Sequence, residues 1–283
     1  LSLGSFTASL KHIARKLKVI IAMKISSGTS NDLTSILQQQ QKLAQQQATG
    51  KRINSAADDA AGLQIANRLS STINAQEQGQ RNLADGIAFA RVYDQALQGI
   101  NDNVLELERL TVAAGNGIYS DADRQALQTE ANGYLANIQQ GLGAEFAGKE
   151  IFADSNLAFN AGDSNLALQT RDLGAVLANQ NIFNLDLTDP AALSDNLSNI
   201  RNTAEQLGTF QAEVGASINA FQSAANAVSG QQVATAEARS RIADLDYAKA
   251  SSERAANNIL SQSSINVTMQ ARVSSEQALS LLS

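Results

Sequence analysis

The sequence predicts a mainly α-helical fold: an elongated antiparallel coiled-coil or helical-bundle rod with a small β-hairpin region and its N- and C-terminal helices paired. Three observations predict it. Leu193, Leu197, Ile200, Ala204, Leu207, Phe210, Val214, Ile218, Phe221, Ala225 and Val228 follow one another at steps of three or four, the period of a coiled-coil seam. A second stripe of the same kind runs through Leu83, Ile87, Ala90, Tyr93, Leu97, Ile100, Val104, Leu107 and Ala114. A single proline in 283 residues removes the commonest helix breaker, and 4% aromatics with no tryptophan suit thin helix-to-helix seams better than a thick globular centre.

From the N-terminus, residues 30–49 ("SNDLTSILQQQQKLAQQQAT") have helical propensity but are very polar, with Leu33, Ile36, Leu37, Gln40, Leu43, Ala44 and Gln47 as their only stripe. Their spacing favours a solvated helix face over an aggregation-prone tract. The stretch 50–69, "GKRINSAADDAAGLQIANRL", reads as a helix restart: Gly50 ends one helix, Asn54 or Ser55 caps the next, and Asp58 and Asp59 occupy the first turn, where the helix dipole favours carboxylates. Adjacent carboxylates on a helix point about 100° apart, which disfavours an acid/base couple. Capping does not explain Lys51 and Arg52. If Leu63, Ala66, Leu69 and Ile73 join the stripe that follows, the helix spans about 55–114 and, at ~1.5 Å per residue, is about 90 Å long.

"GNGIYSDAD" at 115–123 stops that helix, with Ser120 or Asp121 as the next cap. A helix over 120–142 follows on Leu127, Ala131, Tyr134, Ile138 and Leu142. Between Gly143 and Pro190 the segments "NLAF", "NLALQT" and "FNLDLTD" alternate apolar with polar residues, which predicts two or three short strands within 143–190. Pro190 and Ser194 lead into a helix over about 191–229. Beyond it, "ARSRIADLDYAKA" (238–250) forms a second charged island with Arg239, Arg241, Asp244 and Asp246. The C-terminal helix offers Leu260, Ser264, Val267, Ala271, Ser274, Ala278 and Leu281 at heptad spacing. Neither terminal helix carries enough apolar area to persist alone in water.

Several functions are disfavoured by the same sequence. There is no cysteine for a disulfide or thiolate site, and His12 is the single histidine, so no metal, cofactor or catalytic triad is expected. A net charge of −6 argues against nucleic acid as a partner, and no apolar run is long enough to span a bilayer. The chain is not expected to be an enzyme.

The two islands and the closing segment "ILSQSSINVTMQARVSSEQALSLLS" resemble the bacterial flagellin family: "GKRINSAADDAAGLQIANRL" looks like its N-terminal signature and "ARSRIADLDYA" like its C-terminal one. The likeness covers about 50–142 and 191–283. It implies a filament subunit for swimming or swarming motility, of a short form without large variable outer domains. Residues 1–54 with 236–283 would form an inner coiled-coil domain and 55–235 an outer helical domain. The islands would then be the spoke between layers and a subunit interface, with Lys51, Arg52, Asn54, Asp58, Asp59, Arg239, Arg241, Asp244, Asp246 and Tyr247 as its residues. Leu260, Val267, Ala271, Ala278, Leu281 and Leu282 would pack the filament core.

The resemblance further implies self-assembly into a helical homopolymer, contacts with an export chaperone, a filament cap and hook-junction proteins, and an extracellular location in the flagellum, reached through the flagellar secretion channel without a cleaved signal peptide. It places an innate immune receptor surface at Glu106, Arg109 and Glu130, the family often having Arg where this chain has Glu106. Residues 1–22, "LSLGSFTASLKHIARKLKVIIA", depart from the family's start and read as an unusual first helix, non-native upstream sequence, a basic amphipathic membrane helix or a poor signal peptide. Two alternatives stand beside the filament subunit: a hook-filament junction protein, and a flagellin-like cell-surface module that binds polysaccharide at the strand region 143–190, where Lys149 and Arg171 are the only cations.

Overall fold

The computed structural model describes residues 15–16, 33–162 and 164–280. Of the basic stretch 1–22, only Arg15 and Lys16 fall among the described residues. Helix α1 covers 33–49. It is followed by α2 (Ala60–Ala114), α3 (Asp121–Leu142), strands β1 (Glu145–Phe146), β2 (Lys149–Glu150), β3 (Ser155–Asn160) and β4 (Asn165–Thr170), α4 (Leu173–Asn179), a 3-10 turn (Ile182–Asn184), α5 (Leu193–Ala243) and α6 (Tyr247–Ser280). The chain divides into two compact units, Leu1–Leu69 with Glu237–Ser283, and Ser70–Ala236.

In the Ser70–Ala236 unit the predicted stripes become a strict repeat of seven. On α2, Leu83, Ala90, Leu97 and Val104 form one series and Tyr93, Ile100, Leu107 and Ala114 a second, none more than 1% exposed. On α5, Leu193, Ile200, Leu207, Val214, Phe221 and Val228 recur at the same interval and are all buried. Residues between them, such as Ala204, Phe210 and Ile218, are only partly buried and pack on the flanks. Helix α3 adds Ala131, Leu135 and Ile138. It begins as expected at Ser120, whose hydroxyl and backbone N–H form a reciprocal capping box with Asp123. Helix α5 extends well past the expected 229, because neither Gly230 nor the polar residues after it break the helical ladder and the stop comes only at Asp244–Leu245.

Two antiparallel hairpins supply the β structure. β1 and β2 pair Glu145 with Glu150 and Phe146 with Lys149, and their two-residue turn places both Ala147 (φ 51°) and Gly148 (φ 77°) in the left-handed region that matches strand twist. β3 and β4 pair in six steps from Ser155–Thr170 to Asn160–Asn165. The third expected strand does not form. In "FNLDLTD" (183–189) the backbone groups are satisfied by side chains instead: Gln128 Nε2 donates to the Leu185 carbonyl at 3.0 Å, Leu187 N–H donates to Gln128 Oε1 at 2.6 Å, and Asn196 Nδ2 donates to the Asp186 carbonyl at 2.8 Å. With Leu185 and Leu187 buried, this segment is anchored without a strand partner.

The β3–β4 hairpin lies along one line of α2 at the same seven-residue interval. Its tip meets Gly79, where an added Cβ would come within 2.6 Å of the Ala161 carbonyl oxygen, a backbone obstacle that cannot swing aside. One heptad on, Phe159 lies over Gly86 and packs edge-on to Phe221 of α5 with ring centroids 5.3 Å apart. A further heptad on, Tyr93 Oη accepts the Arg171 N–H at 3.1 Å, and burial raises its phenol pKa.

Gly79→Ala should therefore destabilise the protein by about 1–3 kcal/mol through overpacking. Gly99→Ala on the same helix has no atom within 4 Å of its new Cβ and should stabilise by about 0.5–1 kcal/mol. Urea unfolding of the pair checks the opposite signs.

Candidate functional site

The two charged islands meet within the Leu1–Leu69 and Glu237–Ser283 unit. Helix α1 ends at Gly50, which takes a left-handed φ of 68° and turns the chain so that residues 50–52 run antiparallel to 243–245. Arg52 N–H donates to the Ala243 carbonyl at 2.7 Å and Leu245 N–H to the Gly50 carbonyl at 3.0 Å. Lys51 and Asp244 face each other as an isolated β-bridge. The Arg52 guanidinium donates to the Ile242 carbonyl in the last turn of α5, where unpaired carbonyls attract a cation. Arg52 is thus the C-terminal cap of a helix nearly two hundred residues away in sequence.

The aspartates divide their work differently from the sequence expectation. Asp59 is the cap of α2, accepting the Gly62 N–H at 2.8 Å. Helical bonding starts at Ala60 because Asp58 first draws residues 54–58 into a turn. Its Oδ2 accepts the N–H groups of Asn54 and Ser55 at 3.1 and 3.0 Å and the Ser55 hydroxyl at 3.1 Å, and its Oδ1 pairs with Lys42 at 2.8 Å. Asn54 and Ser55 are therefore held by the turn and do not cap the helix. The Lys42 ammonium, followed by the Asn54 and Ser55 donors, holds the Asp58 carboxyl down to about 2. Asn54 Nδ2 also donates to the Lys51 carbonyl at 3.2 Å.

On the C-terminal side Asp246 Oδ1 accepts from Ala248 and Lys249 N–H, both at 3.0 Å, and so caps α6. Tyr247 Oη donates to the Gln47 carbonyl at 2.6 Å, and Arg254 donates to Gln47 Oε1 at 2.8 Å. Arg239 has its own partners, and Arg241 is exposed on the last turn of α5. Lys42, Gln46, Gln47 and Arg254 were not evident as members of this cluster. The signal was present in principle, since Gln47 belongs to the α1 stripe and Gln46 lies one turn after Leu43, but the glutamine-rich composition hid it.

The α1–α6 contact is polar. Gln46, Asn257 and Ser261 are buried with Leu43 and Ala250, and Gln40 Nε2 donates to the Asn257 carbonyl and to Asn258 Oδ1 at 3.2 and 3.0 Å. Ala271 is half-buried, whereas Leu260 and Val267 are both 52% exposed, with Ile259, Ile265, Met269 and Val273 exposed beside them. Leu281, Leu282 and the side chain of Ala278 lie outside the described residues.

In the other unit Arg109 joins Glu106 at 2.6 Å and Glu130 at 3.2 Å, with Arg109 and Glu130 exposed and Glu106 half-buried. The Glu106 carboxylate raises the Arg109 pKa. Lys149 lines a groove of about 350 Å³ with Glu150 and Phe89, while Arg171 stacks over Phe210 at 5.7 Å and reaches Glu213 at 3.4 Å. Among the described residues there is no cluster of His, Cys, Asp and Glu able to hold a metal ion and no helix long and apolar enough to cross a membrane.

Two family models decide the family, the bacterial flagellin N-terminal helical region matching residues 21–157 and the bacterial flagellin C-terminal helical region matching 197–282. The chain belongs to the bacterial flagellin family. This flagellin is 27% identical to the flagellar filament 30.7 kDa core protein of Treponema maltophilum, over 94% of the chain and 100% of that protein. It is 29% identical to flagellin FlaB2 of Treponema pallidum, over 86% and 92% respectively. Its fold is similar to a putative flagellar hook-associated protein from Vibrio parahaemolyticus, with a TM-score of 0.57 and 15% identity over 66% of this flagellin and 100% of that chain.

Because its folded-state pKa is depressed, Asp58 contributes its full stabilisation above the ordinary carboxylate range and loses it as pH falls towards about 2. NMR titration of the Asp58 carboxyl should give a midpoint near 2, rising in Lys42→Met towards the value of a free aspartate. An ordinary midpoint in both proteins would remove Asp58 from its role in the turn.

Proposed function

We propose that this flagellin is the structural subunit of a bacterial flagellar filament and polymerises through its terminal helices. The observation that carries the reading is the division of faces on α6. The polar face is spent on α1 within the chain, and the apolar residues Leu260 and Val267 are left outward. A helix that turns its apolar side away from its own partner gains burial only from other copies, and a heterologous contact of that kind propagates without closing. Of the relatives matched over nearly their whole length, one is named a flagellar filament core protein and another a flagellin, which supports the same reading.

In that role the subunit is extracellular, exported through the flagellar channel and met on the way by an export chaperone, the filament cap and hook-junction proteins. The clasp of Arg52, Asp58, Asp244 and their neighbours works as the spoke that sets how subunits meet, with Lys51, Asn54, Asp59, Arg239, Arg241, Asp246 and Tyr247 around it. The Glu106–Arg109–Glu130 cluster is the surface offered to an innate receptor, with Arg109 already engaged by two carboxylates. A hook-filament junction subunit is the second reading, supported by the fold likeness to a hook-associated protein.

Replacing Leu260 and Val267 together by Gln should raise the critical concentration for polymerisation at least about tenfold, since losing roughly 1.4 kcal/mol of burial per subunit suffices. Monomer stability should change by no more than about 0.5 kcal/mol. Sedimentation and negative-stain microscopy decide; filaments of ordinary yield from the double variant would refute the assembly role of this face. Asp244→Lys, a change at an exposed side chain, should alter filament straightness or curvature while shifting the monomer melting temperature by only a few degrees.

A further inference from the structure

The corner between α2 and α3 contains one of two Asn-Gly pairs in the chain, Asn116–Gly117, the other being Asn132–Gly133 inside α3. We propose that Asn116 is a site of spontaneous covalent modification, converting to aspartate and isoaspartate through a cyclic imide.

In such a conversion the Gly117 backbone nitrogen attacks Cγ of Asn116. The new C–N bond closes a five-membered ring, the nitrogen's proton passes to the departing amide, and ammonia leaves. Water then opens the imide. Attack at Cγ gives aspartate, and attack at the main-chain carbonyl gives isoaspartate, in which the backbone runs through the former side chain. No oxidant or cofactor is consumed.

Three features of the corner favour ring closure. Gly117 presents no side chain to shield its nitrogen, and even an added Cβ would meet nothing within 4 Å. The nitrogen itself has no hydrogen-bond partner among the described residues, so nothing must break before it attacks. Residues 116–119 form a turn, with Tyr119 N–H donating to the Asn116 carbonyl at 3.1 Å. Within it, Ile118 N–H donates to Asn116 Oδ1 at 3.3 Å. That bond folds the side chain back over the Gly117 peptide and places a donor on the oxygen that becomes negative in the tetrahedral intermediate, the same arrangement by which an oxyanion hole accelerates acyl transfer.

The same chain holds its own controls. The nitrogen of Gly133 belongs to the helical ladder of α3 and is released only by local opening. The small residue after Asn54 is Ser55, whose N–H is held by Asp58 Oδ2 at 3.0 Å. Conversion at 116 would add a carboxylate close to the end of α2, where helix carbonyls disfavour negative charge. It would do so in the corner where Arg124 reaches the Ala114 carbonyl at 3.4 Å and Asp121 at 3.6 Å.

The full chain is incubated in mildly alkaline buffer, sampled over weeks, digested with trypsin and analysed by mass spectrometry with an isoaspartyl methyltransferase assay. Cleavage after arginine and lysine puts Asn116 in the peptide 110–124, Asn132 in 125–149 and Asn54 in 53–68. The 110–124 peptide should convert at least about tenfold faster than the other two, the margin set by helix and turn opening, and Gly117→Ala should suppress conversion there while leaving Asn132 unchanged. Equal rates at Asn116 and Asn132 would overturn the proposal. So would an intact Asn116 over a period in which a free peptide of residues 113–120 converts.

Discussion

Burial of an apolar side chain at every seventh residue on both α2 and α5 fixes where the remaining elements of the Ser70–Ala236 unit lie. Apart from Ala90 and Ala114, every position of these series places a Leu, Ile, Val, Tyr or Phe out of water, and a fully buried side chain of this size contributes about 1.5–3 kcal/mol. A helix displaced by one residue would rotate its stripe by about 100° and lose them together. The hairpin obeys the same interval. Gly79, Gly86 and Tyr93 stand seven apart, so the tip of the β3–β4 loop, the Phe159 ring and the Arg171 backbone N–H are each received by the same helix line. The shape of the β region is in this sense dictated by the period of a helix.

The other unit is held on different terms. Around a few buried apolar residues such as Leu43, Ile53 and Ala250, its contacts are largely hydrogen bonds: the backbone pairing of 50–52 with 243–245, the Asp58 turn, and the bonds of Gln40, Gln46 and the Gln47 carbonyl. A net intramolecular hydrogen bond contributes only about 0.5–1.5 kcal/mol, yet its direction is strict. Such a unit specifies geometry well and stability weakly. Arg52 illustrates the trade, since its guanidinium caps one helix while its own carbonyl accepts from Gln46 at 2.6 Å, coupling the end of α1 to the end of α5.

The helices were legible because a period of three and a half leaves a long trace: both stripes, the Ser120 start and the β3–β4 segments stand in the sequence much as in the structure. What was not legible depended on side chains satisfying backbone groups at a distance. "FNLDLTD" has the alternation of a strand, but Gln128 and Asn196 take the bonds a strand partner would have made. Asp58 and Asp59 look alike on paper. Only the position of Lys42, sixteen residues earlier, shows which one closes the turn and which one caps the helix. On α6, spacing alone could not tell which of two possible stripes faces α1, because Asn257 and Ser261 are as well placed by period as Leu260 and Val267.

The lack of tryptophan has an optical consequence. All strong near-ultraviolet absorption and emission must come from four tyrosines, and these stand in unlike settings. Tyr93 is fully enclosed, and burial raises the pH at which its phenol ionises. Tyr247 is 53% exposed and belongs to the other unit, where its hydroxyl reaches Gln47. Tyr119 and Tyr134 stand in the same unit as Tyr93, so Tyr247 is the lone native chromophore of its own unit, and with the other three replaced by phenylalanine the loosening of that unit can be followed by light without attaching a label.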